Sequence, residues 1–500
     1  MSTVVSDEKA TTKTAPKEYR QFIDGKWVAA SNGATYADHD PFTGETMATI
    51  PASTREDARR AVEVAAGAFP GWWKTPPGAR QRLLLKAADI LERRQMEIVG
   101  LLASETGCTF GFGMFQTMFT PNLLRQAAGL PYQSTGEIIP ADLPGAFYMG
   151  IRQPVGVVAG LAPWNAPLIL SLRAIAAPIA FGNAVVLKPS EESPITGGLI
   201  YAEIFEEAGF PPGVVNVVTH APGQAEPVVD EFIENPKVRR ISFTGSTKTG
   251  RVLAQKAARY LKRMVLELGG QNPLIVLADA DLEYAVNATA FGTFLHQGQI
   301  CMSARKIIVE RPIAEEFTEK LVAKTRSLKV GSPTEMDTII GPLINKQALD
   351  RVRSRVDEAV SHGAKLLTGG KAQGTCYEPT LLSDVPADVT LSNDETFGPV
   401  ATITVVNDSD EAVRLANQTT YGLAAGILTR DADRALALAE RIEAGIVHIN
   451  DQPVNDEPQV PFGGVKDSGY GRFGGGEAAH EFTEMRWVTV QGQGGRPFPF

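Results

Sequence analysis

Three side chains in this sequence have the types and surroundings to do covalent chemistry. Cys301 lies in "HQGQICMSAR", residues 296–305, and is one of only three cysteines, with Cys108 and Cys376 far away in the chain. It can be a buried apolar filler, a metal ligand or a nucleophile. A free thiol is only about 3% ionised at neutral pH, so a nucleophilic cysteine needs surroundings that activate it. The sequence contains no CxxC, no HExxH and no tight His/Cys cluster, which argues against zinc. "ELGGQNP" puts Glu267 at the predicted end of a strand, where two glycines allow close approach of another chain or a ligand. "APWNAP" puts Asn165 just past another strand, between prolines, at a predicted helix start. A thiol, a carboxyl and an amide at three such ends can converge on one crevice. His296, five residues before Cys301, is the rival partner for the thiol. That separation does not put the two on one helix face, and packing is the expected role of His296.

The phosphate motifs sort by context. Gly469-Tyr-Gly471-Arg-Phe-Gly474 matches GxGxxG but joins no strand to a helix, and no acidic residue follows at the right distance. "GSTKTG", residues 245–250, has Walker spacing but continues Arg-Val, which does not support ATP. It nevertheless reads as strand, small-residue turn and helix start, a place where free N–H groups suit a diphosphate. An ordinary N-cap by Ser246 or Thr247 reads the same way. "VVLKPSEESP" places Lys188, Ser190 and Glu191 together at another strand end, as ribose ligands or as a solvated turn.

These residues must be held by a repeating frame. From about residue 150, short β-branched runs ("VGVVAGLAP", "NAVVLKPS", "GVVNVVTH", "VRRISFTGS", "RMVLELGG") alternate with helical stretches, the pattern of βαβ crossovers and a mostly parallel sheet. Ligands bind beyond the carboxyl ends of such strands. A second cycle follows "NPLIVLADADL" and includes "ARKIIVERP", "VATITVVND", "GLAAGILT" and "AGIVHIND". Upstream, residues 55–73 and 76–107 read as amphipathic helices. "GEIIPA", "FYMGIRQ" and "EMRWVTVQ" fit neither cycle; they read as exposed strands that pair with another subunit, or as a small sheet packed within the monomer. A net charge of -9 argues against nucleic acid, because no basic excess exists to replace counterions. The most apolar run, residues 166–188, is interrupted by Arg173 and Pro178 and reads as a buried helix and strand, not a membrane span. The polar first residues lack a signal-peptide core, and few, scattered cysteines suit a reducing compartment, so a cytoplasmic protein is expected.

Taken together, "FTGSTKTG", "ELGGQNP", "GQICMSAR", "PWNAP", "KPSE", "ETFGPV" and "PFGGVKDSGYGR" resemble the signature segments of the aldehyde dehydrogenase superfamily, from about residue 20 to the C-terminus. The resemblance implies an α/β chain. It would have a flexible tail (1–18), a Rossmann-like NAD(P)-binding domain (19–130 and 153–266), an α/β catalytic domain (267–480) and oligomerisation strands (131–152 and 481–500). It implies Cys301 as the nucleophile that forms a thiohemiacetal and then a thioester. The oxyanion would be held by the Cys301 N–H and Asn165, and Glu267 would be the base for hydrolytic water. Lys188, Ser190 and Glu191 would hold the adenosine ribose, Gly245 and Ser246 the diphosphate, and Glu395 and Phe397 the nicotinamide riboside, with Trp164 lining the channel. The implied cofactor is NAD, since Glu191 would repel a 2′-phosphate, with NADP the open alternative; the implied assembly is a homodimer or homotetramer, and no metal is implied.

"PWNAPLILSLRAIAAP" and "NDEPQVPFGGVKDSGYGRFGG" resemble a bacterial branch acting on aromatic aldehydes such as benzaldehyde, vanillin and salicylaldehyde. "GGEAAHEF" departs from that branch's commonest form. Ala166 leaves space beside Asn165, while Leu170, Ile300, Met302 and Phe462 offer apolar walls. Arg173 reads either as a ligand for a ring hydroxyl or carboxylate or as half of an entrance salt bridge. "GFGMFQTMFTPNLL" is a further tunnel wall or plain core. Aliphatic aldehydes and semialdehydes remain alternative substrates. A CoA-acylating enzyme is disfavoured by the presence of Glu267. Cys108 and Cys376 are expected to be structural.

Overall fold

A computed structural model describes residues 16–133, 136–492, 495 and 498–500. Continuous apolar runs such as Val157–Leu161 and Ala184–Lys188 are buried at every position, as strands covered by helices on both faces must be. They form the centre of an eight-stranded sheet. Its order is Gly469–Tyr470, Arg263–Glu267, Val238–Thr244, Val157–Leu161, Ala184–Lys188, Val215–Val217, Gln21–Ile23 and Lys26–Val28. The five strands from Arg263–Glu267 to Val215–Val217 are parallel, and the outer ones join antiparallel. The parallel part starts at Val157–Leu161, winds outward to Val215–Val217, then returns to lay Val238–Thr244 on the other side of Val157–Leu161. This reversal of strand order opens a crevice beyond Leu161 and Thr244, the position at which doubly wound sheets bind ligands.

The second sheet has seven strands, ordered Lys365–Thr368, Thr380–Ser383, Val400–Val406, Lys306–Glu310, Pro273–Val276, Ala424–Leu428 and Ile446–Ile449, all parallel except the first. Only residues 268–272 separate Arg263–Glu267 of the first sheet from Pro273–Val276 of the second, so Glu267 sits at the junction. The helix Pro167–Ala180, opened by Pro167 in its first turn, carries no acidic residue and packs against the first sheet as expected for the apolar run. The amphipathic stretch Arg55–Trp73 is helical behind a capping box of Thr54 and Asp57.

A third sheet is antiparallel: Gly136–Ile139, Phe147–Pro154 and Thr483–Val490. It leaves Ile138, Trp487 and Val490 exposed. Three expectations on extent change. Residues 1–15 of the expected tail lie outside the described residues, but Lys17–Glu18 form a strand on Ala48 and Thr49, because their backbone completes a three-stranded sheet with Thr35–His39 and Thr46–Pro51. The stretch expected to stay with the catalytic domain to residue 480 crosses back earlier, since Gly469–Tyr470 pairs with Leu266 and Glu267. That pairing accounts for the first glycine of the GxGxxG match, as a Cβ on Gly469 would fall 1.9 Å from Leu266 O, while one on Gly474 would fall 2.2 Å from Val460 O. Within the expected oligomerisation strands, residues 134, 135, 493, 494, 496 and 497 lie outside the described residues.

Candidate active site

The loop that carries Cys301 begins where the helix Leu282–Phe294 stops. His296, Gln297 and Gly298 take φ of 50°, 54° and 65°, a run of left-handed residues that costs roughly 1–3 kcal/mol for each non-glycine. Buried polar side chains hold this turn. Gln297 Nε2 donates to Gly107 O (3.0 Å) and Pro342 O (2.9 Å), and Gln299 Oε1 accepts from Ile344 N (3.1 Å). Arg305 donates to Gly398 O (2.5 Å) and to Gly298 O. Asn272 Nδ2 donates to the carbonyls of Cys301 (2.7 Å) and Ser303 (3.0 Å), while its oxygen accepts from Ala424 N (3.2 Å). Sequence reasoning missed Asn272, Gln297, Gln299 and Arg305. His296 stacks on Phe112 at 4.7 Å, and burial holds its imidazole down to about 3, so it packs as a neutral ring.

The three candidate catalytic groups meet around this loop. Asn165, 4% exposed, donates from Nδ2 to Gln299 O at 2.9 Å. An amide nitrogen carries two N–H groups, so one remains to donate. Glu267 ends its strand 2% exposed, and neither carboxyl oxygen has a hydrogen-bond partner among the described residues. A Cβ on Gly463 would stand 2.7 Å from its Oε1, which is why glycine passes there. Burial pushes the Glu267 carboxyl well above the usual range, opposed by Arg472 and then Arg173. Cys301 keeps partial access to solvent, yet burial, then Glu395 and Glu267, push its thiol up to about 12. The resting thiol is therefore protonated, and a base must act for it to attack.

The cofactor candidates line the strand ends. Ser246 caps the helix Thr247–Ala258, accepting from Thr249 N at 3.2 Å, while Gly245 N donates to Glu267 O at 3.0 Å. A Cβ on Gly245 would lie 2.5 Å from the Phe243 ring. The capping interpretation of Ser246 thus holds, and the first-turn N–H groups of Thr247 and Lys248 stay free for an anion. Among the described residues, the Glu395 carboxyl accepts only from Gly270 N, at 3.4 Å; burial raises it to about 7, and a Cβ on Gly269 would fall 2.2 Å from its Oε2. Phe397, at φ 52°, meets Trp164 edge to face at 5.5 Å. Lys188 Nζ donates to Pro189 O at 3.0 Å, and Ser190 Oγ donates to Glu191 Oε2 at 3.2 Å. Under-used carboxylates for ribose hydroxyls and free helix N–H groups for a diphosphate are the donor and acceptor set that a dinucleotide requires, so these residues fit one.

On the other side of Cys301, Ala166, Leu170, Ile300, Met302 and Phe462 join one buried apolar cluster with Phe112, Phe119 and Leu123. The aromatic helix Phe110–Gly129 therefore contributes to this wall and to the core at once. Arg173 forms a salt bridge: its Nη2 donates to both oxygens of Asp456, at 2.7 and 2.6 Å. Its guanidinium lies over Phe462 (4.8 Å) and Phe119 (5.6 Å). Nε and Nη1 have no hydrogen-bond partner among the described residues. Also among the described residues, no cluster of His, Cys, Asp and Glu is arranged to hold a metal ion, and no helix is long and apolar enough to cross a membrane.

A doubly wound sheet with a crevice at its switch point, its strand ends carrying a cysteine, a buried carboxyl and an amide, is the setting that nucleotide-using enzymes share. The aldehyde dehydrogenase family model matches residues 27–488, and the chain belongs to that family, whose members oxidise aldehydes with NAD(P). The chain is 47% identical over 477 residues to a vanillin dehydrogenase of Pseudomonas fluorescens, covering 95% of this chain and 98% of that protein. It is 42% identical over 480 residues to an NAD(+) benzaldehyde dehydrogenase of Pseudomonas putida, covering 96% and 98%. The crystal structure of a salicylaldehyde dehydrogenase from Pseudomonas putida G7 complexed with salicylaldehyde superposes with a TM-score of 0.94 at 41% identity, covering 97% of this chain and all of that one.

Proposed function

We propose that this chain oxidises an aromatic aldehyde to the free carboxylic acid with NAD, through covalent attachment to Cys301. The observation that carries the reading is the buried, unpartnered carboxyl of Glu267 close enough to raise the Cys301 thiol. A desolvated carboxylate is a stronger base than one in water, so Glu267 takes the thiol proton as sulfur attacks the carbonyl carbon. The oxygen becomes an alkoxide, held by the Cys301 N–H and the free N–H of Asn165, donors in place before charge develops. When bound, the nicotinamide ring supplies the hydride acceptor. With the hydride lost, the adduct is a thioester on Cys301, and Glu267 has passed the thiol proton to solvent; the freed carboxylate draws a proton from the water that attacks the thioester and returns it to the departing sulfur as the acid is released. Its presence supports water, not CoA, as the acyl acceptor.

Lys188, Ser190 and Glu191 hold the adenosine ribose, Gly245, Ser246 and the helix start behind them hold the diphosphate, and Glu395 with Phe397 and Trp164 hold the nicotinamide riboside. The first sheet forms the cofactor domain and the second the catalytic domain. The three-stranded sheet joins subunits in a homodimer or homotetramer, a role supported by exposed Ile138 and Trp487. Three free cysteines support a cytoplasmic setting. The aromatic assignment is supported by the vanillin, benzaldehyde and salicylaldehyde dehydrogenases that the chain resembles and by the ring walls Phe119 and Phe462. Because Asp456 already neutralises Arg173, a semialdehyde's distal carboxylate gains little there. Initial rates of NADH formation with benzaldehyde, vanillin, salicylaldehyde, hexanal and succinate semialdehyde test the reading. Aromatic compounds are expected to lead by at least about tenfold in kcat/KM, roughly 1.4 kcal/mol of transition-state discrimination. Equal or faster oxidation of the aliphatic pair would remove the aromatic assignment.

A further inference from the structure

His220 has no part in the scheme above, yet it is 1% exposed and stands in the ribose pocket. Its strand, Val215–Val217, runs parallel beside Ala184–Lys188, so the segment after it brings His220 alongside Lys188 at the carboxyl edge of the sheet. The imidazole Nε2 lies 2.6 Å from Lys188 Nζ, while Nδ1 lies 3.1 Å from Ala221 O. A carbonyl can only accept, so Nδ1 carries the proton and Nε2 offers its lone pair to the ammonium. Burial, reinforced by Lys188, holds the imidazole down to about 4, so it stays neutral. The ammonium has three N–H groups; Pro189 O and His220 Nε2 take two of them. One is left, beside the Glu191 carboxylate, which approaches His220 Nε2 to 3.7 Å.

We propose that His220 is a positioning residue that pins the Lys188 ammonium, leaving one N–H for the ribose, and thereby makes the pocket select a free 2′-hydroxyl over a 2′-phosphate. The inference rests on the reading of Lys188 and Glu191 as the ribose clamp. A ribose hydroxyl both accepts and donates, and one N–H beside one carboxylate serves it fully. A 2′-phosphate carries three acceptor oxygens and nearly two negative charges and seeks several charged donors. Here it meets a single ammonium N–H, a carboxylate to which the Ser190 hydroxyl already donates, and an imidazole whose only N–H is committed to Ala221 O. With His220 absent, Lys188 regains an N–H and the pocket gains space, which favours the phosphate.

The test is the dissociation constant of NADH and of NADPH, by fluorescence titration without aldehyde, for wild type, H220A, H220Q and K188A. H220A is expected to bind NADH about tenfold more weakly, as for loss of one charged hydrogen bond, and to lower the NADPH-to-NADH ratio of constants by at least about fivefold. H220Q, whose side-chain oxygen can still accept from Lys188, is expected to keep the wild-type ratio within about threefold. If H220A does not fold, H220L fills the space without an acceptor and carries the same expectation. A ratio unchanged in H220A or H220L, even with both nucleotides weakened, overturns the inference, as does H220Q behaving like H220A. If K188A weakens NADH binding while the H220A ratio stays put, only the role of His220 falls. If K188A binds NADH as wild type does, the ribose clamp itself falls.

Discussion

Replacing Asp456 with asparagine isolates the charge that Arg173 depends on. The Arg173 side chain is 4% exposed and that of Asp456 12%, and one guanidinium nitrogen donates to both carboxylate oxygens. Burial raises the Asp456 carboxyl despite the pull of Arg173, so desolvation outweighs attraction within this pair. In that regime, removing one partner costs about 3–5 kcal/mol, because the other charge stays buried and unpaired. The side-chain amide in D456N would keep one acceptor oxygen, and two aromatic faces would still cover the guanidinium. D456N is therefore expected near 3 kcal/mol, the lower end of about 3–5 kcal/mol. R173M should cost a similar amount. The double variant R173M/D456N should lie within about 1 kcal/mol of wild type, since it buries no charge at all. Urea unfolding at one fixed protein concentration, followed by tryptophan fluorescence, gives the cycle. The same variants move Glu267 in opposite directions, since Asp456 raises and Arg173 lowers its carboxyl. D456N should shift the rising limb of kcat against pH to lower pH, and R173M to higher pH. Losses that simply add in the double variant, or limbs that shift the same way, would refute the pairing argument.

Two other expectations concern residues that take no part in bond-making. N272A leaves the carbonyls of Cys301 and Ser303 without their donor and should lower kcat about 10²-fold by loosening the nucleophile, with Cys301 alkylation slowed in parallel; unchanged kcat would contradict the anchoring role. Asp38 and Glu105 are buried against each other, and burial raises both carboxyls. A raised folded value contributes stability at low pH that is lost as pH climbs from about 4 towards the folded values, so D38N should flatten the fall of Tm between about pH 6 and 9, and an unchanged slope would show that the pair holds no shared proton.

The frame was legible because its strands are buried on both faces. "VVAGL" carries no polar position and "AVVLK" none before its last residue, Lys188, and the turns after them mark strand ends. Ser246 announced its cap through local chemistry, with its partner three residues away. The support of the site was not legible, because its partners are distant backbone carbonyls. Gln297 reaches Gly107 and Pro342, and Arg305 reaches Gly398, contacts that leave no periodic trace in the sequence. His220 reads as an ordinary loop residue until two neighbouring strands bring it beside Lys188. The two readings of Arg173 were separable only once Asp456, 283 residues later, closed the salt bridge. The return of Gly469–Tyr470 to the first sheet was hidden for the same reason, since a two-residue strand has no period.

The central claim is that Glu267 deprotonates the water that releases an acyl group from Cys301. The most direct measurement is the intact mass of E267Q, quenched after mixing with NAD and an aromatic aldehyde, alongside the time course of NADH. The expected result is a first turnover slowed by loss of the base that takes the thiol proton yet still reaching about one NADH per active site, an added acyl mass mapping to Cys301 and absent from C301A, and a steady rate lower still, by about 10²–10⁴-fold. E267Q that turns over at the wild-type rate without an adduct, or an adduct carried elsewhere than Cys301, would contradict it.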